Sequence, residues 1–493
     1  MALTIQMNPV TSTARRTEKD SMGERQLPDS VYYGIQTARA LDNFSISGIH
    51  PLPIYVDACV SIKKAAAKVN AELGCIPQDI AEAIATAADE IVKERRLRDQ
   101  FVVDIYQAGA GTSHHMNVNE VLANRALEIL GDVKGNYQRV SPNDIVNYGQ
   151  STNDVIPTAI RFAALVALHR DMLPAMLQFA AALTTKAEEF QDVIKSGRTH
   201  LQDAVPVRLG DTFRAAADIA SDHARRLQYA ATDLQIIGLG GSAAGTGLNA
   251  HPDYCAQVAI ALTQCLADYL TPIQPDIALT PADNLMAAMQ SMAPFASVSS
   301  ALRNFALDLT KIANDLRLMD SGPKTGLKEI QLPPVQPGSS IMPGKYNPVM
   351  AEMTNMVCYQ VMGLDAAIAA CAQAGQFELN VMMPLIAYDL LHAIQISANA
   401  LKALTQKCIF DIEANRDRCR TYAEGSLALV TALNPHIGYL EAARVARTSL
   451  ATGKTIREVA IERQLMTASD LDRVLDLADM SQPHPRAPIS ERE

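Results

Sequence analysis

The sequence predicts an all-α protein in which long helices pack as a bundle, and three observations point there. Apolar residues make up 48% of the chain and charged residues only 19%, below the usual quarter. Alanine, leucine and methionine are frequent, tryptophan is absent, and such residues lose little entropy in a helix. Apolar positions recur at helical spacing, as in Val56, Val60, Ile62 and Ala66, then Ile80, Ile84, Ile91 and Val92. Strands and helices do not alternate along the chain, which argues against a Rossmann or barrel fold.

Residues 1–50 are mixed and turn-rich, with Pro28, Gly34 and Gly48. From Tyr55 to Leu130 the pattern is helical, interrupted by an expected loop at Gly109-Ala110-Gly111-Thr112-Ser113-His114-His115; Asn117 to Leu130 resumes as helix and Gly131 stops it. A second turn cluster runs from Ser141 to Pro157. Long helices are then expected over Thr158–Phe190, Asp211–Ile236, His251–Tyr269, Pro281–Ser321 and Pro348–Ala400, with Pro294 and Pro384 kinking two of them. Turn clusters between long helices are how a bundle presents loops at its ends. From about Cys419 to Leu477 the chain is compact. Thr455-Ile456-Arg457-Glu458 and Thr467-Ala468-Ser469-Asp470 read as helix-start boxes. After Gln482 prolines and charges predict a disordered tail. No internal repeat is visible.

The 493 residues exceed one small core, so two to four domains are expected. The formal charge of −10 gives no electrostatic support to nucleic-acid binding, and an anionic substrate needs local positive charge. None of the eight cysteines, Cys59, Cys75, Cys255, Cys265, Cys358, Cys371, Cys408 and Cys419, makes a CxxC pair. A zinc ribbon or dithiol site is therefore not expected, and a reducing compartment fits best. Met1 to Arg16 lacks an apolar signal core. No run is expected to reach the roughly 18 apolar residues of a membrane span. These features predict a cytoplasmic protein. The low charged fraction also fits helix faces covered by partner subunits.

Four segments are unusually polar for this chain. They are Thr112 to His115; Gly149-Gln150-Ser151-Thr152-Asn153-Asp154; Ser196-Gly197-Arg198-Thr199-His200-Leu201-Gln202-Asp203; and Gly338 to Pro348. Taken singly, each reads as a helix cap or turn. Taken together, helix N-termini and their hydroxyls could converge on a carboxylate, which they are suited to bind. The last segment, Gly338-Ser339-Ser340-Ile341-Met342-Pro343-Gly344-Lys345-Tyr346-Asn347-Pro348, has the glycine and proline content of a mobile loop. His114 and His115 are adjacent, so on a helix they point about 100° apart, and no HExxH or comparable metal pattern is present. No metal and no cofactor are expected.

The 338–348 loop, read as GSSxMPxKxNP, resembles the signature of the aspartase/fumarase superfamily. The first segment resembles that family's GAGT…MNxNEVLANRA stretch. The second, QSTNDVIPTA, and the third, GRTHLQDAVPxRLG, resemble the aspartase kind. Gly240 to Asn249 resembles the glycine-rich stretch and lacks the GK[ST] ending of a phosphate loop. Gly23 to Phe44 and Leu433-Asn434-Pro435 to Leu475 resemble aspartase ends, so the likeness covers nearly the whole chain.

The resemblance implies a three-domain fold: a helical N-terminal domain over 1–144, a long central helical bundle over 145–415, and a small helical C-terminal domain with the tail over 416–493. It implies a homotetramer with a core of roughly 20 helices and active sites built from three subunits. It also implies an ammonia-lyase that eliminates an amine beta to a carboxylate through an aci-carboxylate, with L-aspartate giving fumarate and ammonia. By position, Ser339 matches the catalytic base, and Lys345 and Asn347, with Thr199 beside them, the residues that bind the alpha-carboxylate. Thr112, Ser151 and Thr152 match the hydroxyls on the other carboxylate, Asn153 and His200 residues around the leaving amine, and Glu352 the acid that orients the histidine.

Two departures bear on the substrate. The family typically has a small polar residue and then asparagine where this chain has His114 and His115. The stretch Phe377-Glu378-Leu379-Asn380-Val381-Met382-Met383-Pro384 opens like the fumarase form but carries Met383 where a charge is usual. His114, His115 and Met383 are therefore specificity candidates. They keep open fumarate hydration, or ergothionase-like release of trimethylamine from a histidine betaine. A non-catalytic relative such as a lens crystallin is the reading from another class, opposed by the retained Ser339, Lys345, Asn347 and His200.

Overall fold

The computed structural model describes residues 14–273 and 276–483. The readings of a missing signal core and of a disordered tail fall wholly or largely on residues 1–13 and 484–493, outside the described residues.

The described chain is helical, as expected. It opens with a hairpin of β1 (Arg15–Asp20) and β2 (Gly23–Pro28). Next come α1 (Ile35–Asn43), α2 (Pro53–Glu72), α3 (Gln78–Val92) and α4 (Thr112–Ile129). Helix α2 packs against α3 and α4. It is buried nearly all round, from Tyr55 to Asn70, with the polar side chains of Asp57, Ser61, Lys63 and Asn70 enclosed among its apolar ones. The loop expected over 109–115 ends at Gly111. That residue caps α4 at φ 92° and lets helix begin at Thr112, so the two histidines are helical.

Helix α5 (Thr152–Ala167) starts with a capping box between Ser151 and Asp154. A π turn at 168–172 carries it into α6 (Leu173–Glu189). The third polar segment is not a loop but a hairpin, β3 (Ile194–Thr199) and β4 (Gln202–Arg208). Helices α7 (Leu209–Ala231) and α8 (Tyr254–Leu270) follow.

The helix expected over 281–321 is two, α9 (Leu285–Gln290) and α10 (Ala293–Met319). The helix expected over 348–400 is also two, α11 (Val349–Ala372) and α12 (Met383–Lys407). Here Asn380 is the cause. Its Nδ2 donates to the Cys371 and Ala372 carbonyls at the end of α11 (2.9 and 3.2 Å), and its Oδ1 accepts from Met382 N at the start of α12 (2.9 Å). Pro294 and Pro384 are thus not internal kinks. Each sits in a first turn, where the missing N–H costs nothing.

The remaining helices are α13 (Arg416–Gly425), α14 (Val430–Ile437), α15 (Tyr439–Thr452), α16 (Ile456–Glu462), α17 (Ala468–Val474) and α18 (Leu477–Met480). Thr455 and Thr467 cap α16 and α17 as read from the sequence. Leu433, Val445, Val459 and Leu471 form their shared core.

The chain falls into two compact units. One comprises the chain up to Pro174 with Arg225–Asn304 and Tyr359–Ala398; the other comprises Ala175–Ala224, Phe305–Cys358 and the chain from Asn399. Helix α11 is long and apolar enough to cross a membrane by length and composition, contrary to expectation, and 33% of its apolar window is buried within one chain.

Candidate active site

The candidate residues divide between the units. Thr112, His114, His115, Ser151, Thr152, Asn153 and Met383 belong to the first; Thr199, His200, Ser339, Lys345, Asn347 and Glu352 belong to the second.

In the first unit two helix N-termini are tied together. Thr112 opens α4 and its hydroxyl donates to Gly109 O (3.0 Å). One turn on, His115 Nδ1 lies 2.7 Å from the hydroxyl of Thr152, the first residue of α5. Both starts present the positive end of the helix dipole. Ser151 Oγ accepts from Asn153 N (3.2 Å), and Asn153 Nδ2 donates to Ala243 O (2.8 Å). That contact ties the glycine-rich stretch to this half of the site. His114 turns the other way and stacks on Tyr55, ring centroids 4.8 Å apart. Met383 is fully buried at the start of α12.

Beneath these groups lies a charged network that sequence reasoning missed. Lys63 is fully buried, and its Nζ donates to Asn147 Oδ1 and Gln150 Oε1, both at 2.9 Å. Asp154 is equally buried and accepts from the backbone N–H of Ser151, Gly240 and Ser242 (2.9, 3.0 and 2.9 Å). Burial pulls Lys63 down to about 7 although Asp154 opposes the shift. Burial also pushes Asp154 up to about 6 against its three N–H donors and Lys63. Desolvation takes His114 down to about 3 and drives His115 well below the ordinary histidine range, helped by Lys63. Both imidazoles are therefore neutral. No local sequence signal singles out Lys63, since α2 also carries Lys64 and Lys68.

In the second unit the 338–347 segment is closed by its own hydrogen bonds. Gly338 N donates to Lys345 O (2.7 Å), Asn347 Nδ2 to Gly338 O (2.7 Å), and Lys345 Nζ to Asn347 Oδ1 (2.9 Å). A Cβ on Gly338 would lie 2.6 Å from Lys345 O, so the turn needs glycine. Ser339 Oγ accepts from the N–H groups of Ile341 (3.2 Å) and Met342 (3.0 Å). Two donors on one hydroxyl oxygen favour its alkoxide. Glu352 sits in the first turn of α11.

Thr199 ends β3, and His200 and Leu201 form the two-residue turn to β4, with φ of 54° and 61°. Two left-handed residues are what a type I′ turn requires, yet neither is glycine or asparagine, so the turn holds strain beside the candidate histidine. Behind it Arg198 and Lys195 pair with the fully buried Glu329 (2.8 and 3.3 Å), fixing the hairpin. Within the described residues of one chain, no hydrogen bond joins Glu352 to His200.

Residues 23–363 match the family described as Lyase, and residues 429–482 match Fumarase C C-terminus. The chain is 46% identical to the aspartate ammonia-lyase of Bacillus subtilis (strain 168) over 468 residues, covering 95% of this chain and 96% of the relative. It is 43% identical to the aspartate ammonia-lyase of Escherichia coli (strain K12) over 470 residues, covering 95% and 96%. A crystal structure of fumarate lyase:delta crystallin from Brucella melitensis bound to cobalt superposes with a TM-score of 0.90 at 46% identity, covering 95% of this chain and 100% of that one. A class II fumarase from Schistosoma mansoni gives 0.91 at 35% identity, covering 96% and 100%.

Proposed function

This chain belongs to the aspartase/fumarase superfamily of lyases, and from that premise we propose that it converts L-aspartate to fumarate and ammonia. The observation that carries the reading is end-to-end similarity to aspartate ammonia-lyases in a chain that retains Ser339, Lys345, Asn347 and His200.

Removing a proton beside a carboxylate leaves a dianionic aci-carboxylate, whose charge must meet donors already in place. Ser339 takes the proton from Cβ as its alkoxide, held by the N–H groups of Ile341 and Met342. Thr112, Ser151 and Thr152, at the starts of α4 and α5, receive the carboxylate on which charge accumulates. Lys345 and Asn347, with Thr199, hold the alpha-carboxylate. The electron pair then closes the alkene and the amine leaves on the opposite face beside Asn153 and His200, with Glu352 as the histidine's acidic partner.

We further read the enzyme as a cytoplasmic homotetramer with sites shared between chains. Support comes from eight free cysteines and from Met356 and Tyr359 on α11, which are 61% and 57% exposed in one chain. The substrate is tested by incubating the pure protein with a panel of amino acids and betaines while measuring ammonia and alkene. The reading requires L-aspartate to be the turned-over member. A betaine that yields a long-wavelength imidazole acrylate, with L-aspartate inert, overturns it.

A further inference from the structure

We propose that His115 is a positioning residue for Thr152: its Nδ1–H donates to the Thr152 hydroxyl oxygen and turns the hydroxyl's own proton toward the substrate carboxylate. The inference rests on the reading that Thr152 binds that carboxylate. The contact is 2.7 Å and joins the first turn of α4 to the first residue of α5. A threonine hydroxyl has one proton. If that proton went to the imidazole, the oxygen would face the anion with lone pairs alone. A donor at Nδ1 removes the conflict.

The surroundings favour this tautomer. The imidazole is buried, and its Nε2 has no hydrogen-bond partner among the described residues. Lys63 is near enough to disfavour a cationic ring, and beside an ammonium a lone pair on Nε2 is better placed than a second proton. His114 takes no part, since it stacks on Tyr55. The asparagine typical of the family at this position explains how a histidine can serve there, because a carboxamide Nδ2 projects much as imidazole Nδ1 does and carries a proton.

Kinetics with L-aspartate on the full-length enzyme test the proposal, using His115→Asn, His115→Leu, Thr152→Val and the His115→Leu/Thr152→Val double variant, each checked for unchanged assembly and melting temperature. His115→Leu is expected to lower kcat/KM about tenfold or more, the scale of one hydrogen bond to a charged group. His115→Asn should recover activity to within about threefold, and the double variant should be no worse than Thr152→Val. Near-wild-type kinetics in His115→Leu, an Asn variant as poor as Leu, or additive losses in the double variant would each overturn it. If the wild type forms no fumarate from L-aspartate, the functional reading fails separately. Calorimetric binding of fumarate to the same variants, with the same expected ranking, then decides the role of His115.

Discussion

Lys63 Nζ lies 2.9 Å from Gln150 Oε1, so a fully buried ammonium is anchored to the residue that precedes the Ser151 cap of α5. Burial lowers this lysine to about 7 in the folded protein, whereas an unfolded lysine titrates near 10.4. Between those values the unfolded chain binds more protons, so the contribution of Lys63 to stability rises with pH and is least favourable below about 7. The melting-temperature difference between wild type and Lys63→Met should therefore move in favour of wild type from pH 7 to pH 10. A flat or opposite trend would show that burial does not lower the proton affinity of Lys63.

The Gly338 turn makes a steric prediction. A methyl group there meets Lys345 O at 2.6 Å and Asn347 N at 2.8 Å. Gly338→Ala should pull Lys345 and Asn347 out of register with Ser339 and lower kcat/KM by roughly 100-fold, the scale expected for ~1 Å misplacement of a reacting group. The melting temperature should hardly change because the loop is largely exposed.

Strain at the β3–β4 turn is separable from chemistry. Leu201 is 75% exposed at φ 61°, a conformation costing roughly 1–2 kcal/mol for a side-chain residue. Leu201→Gly should raise the melting temperature. A fall would mean that the leucine packs against another subunit.

Sharing of sites between chains is open to complementation. Thr152→Val and Ser339→Ala lie in different units of the chain. If each site draws these residues from different subunits, dissociating and reassociating a mixture of the two impaired variants raises fumarate formation above that of either variant alone. A verified mixed assembly no more active than the average of the two would place both residues of a site in one chain.

Much of this was legible in the sequence because the motifs are local. The Thr455–Glu458 and Thr467–Asp470 boxes encode their caps within four residues, and both caps form, whereas the Ser151 cap starts α5 inside what reads as a turn cluster over 141–157. What was misread depends on partners distant in sequence or on backbone sign. The break between α11 and α12 depends on an asparagine that caps both helices, which hydrophobic periodicity does not register. The His200–Leu201 turn is invisible to turn propensity because neither residue prefers a left-handed backbone. Lys63 was overlooked because its partners, Asn147 and Gln150, lie 84 and 87 residues away. The adjacent histidines were recognised as unusual, but only the register of α4 separates the one on Tyr55 from the one on Thr152.

The central claim is elimination of ammonia from L-aspartate with Ser339 as base. It is tested most directly by following ammonia and fumarate together in wild type and Ser339→Ala. The account predicts equal amounts of both products from wild type. It predicts a loss in the variant of roughly 100- to 10,000-fold in kcat, the range for removing a general base, with an unaltered melting temperature. Turnover of L-aspartate by Ser339→Ala at the wild-type rate, or no fumarate from either protein, would contradict it.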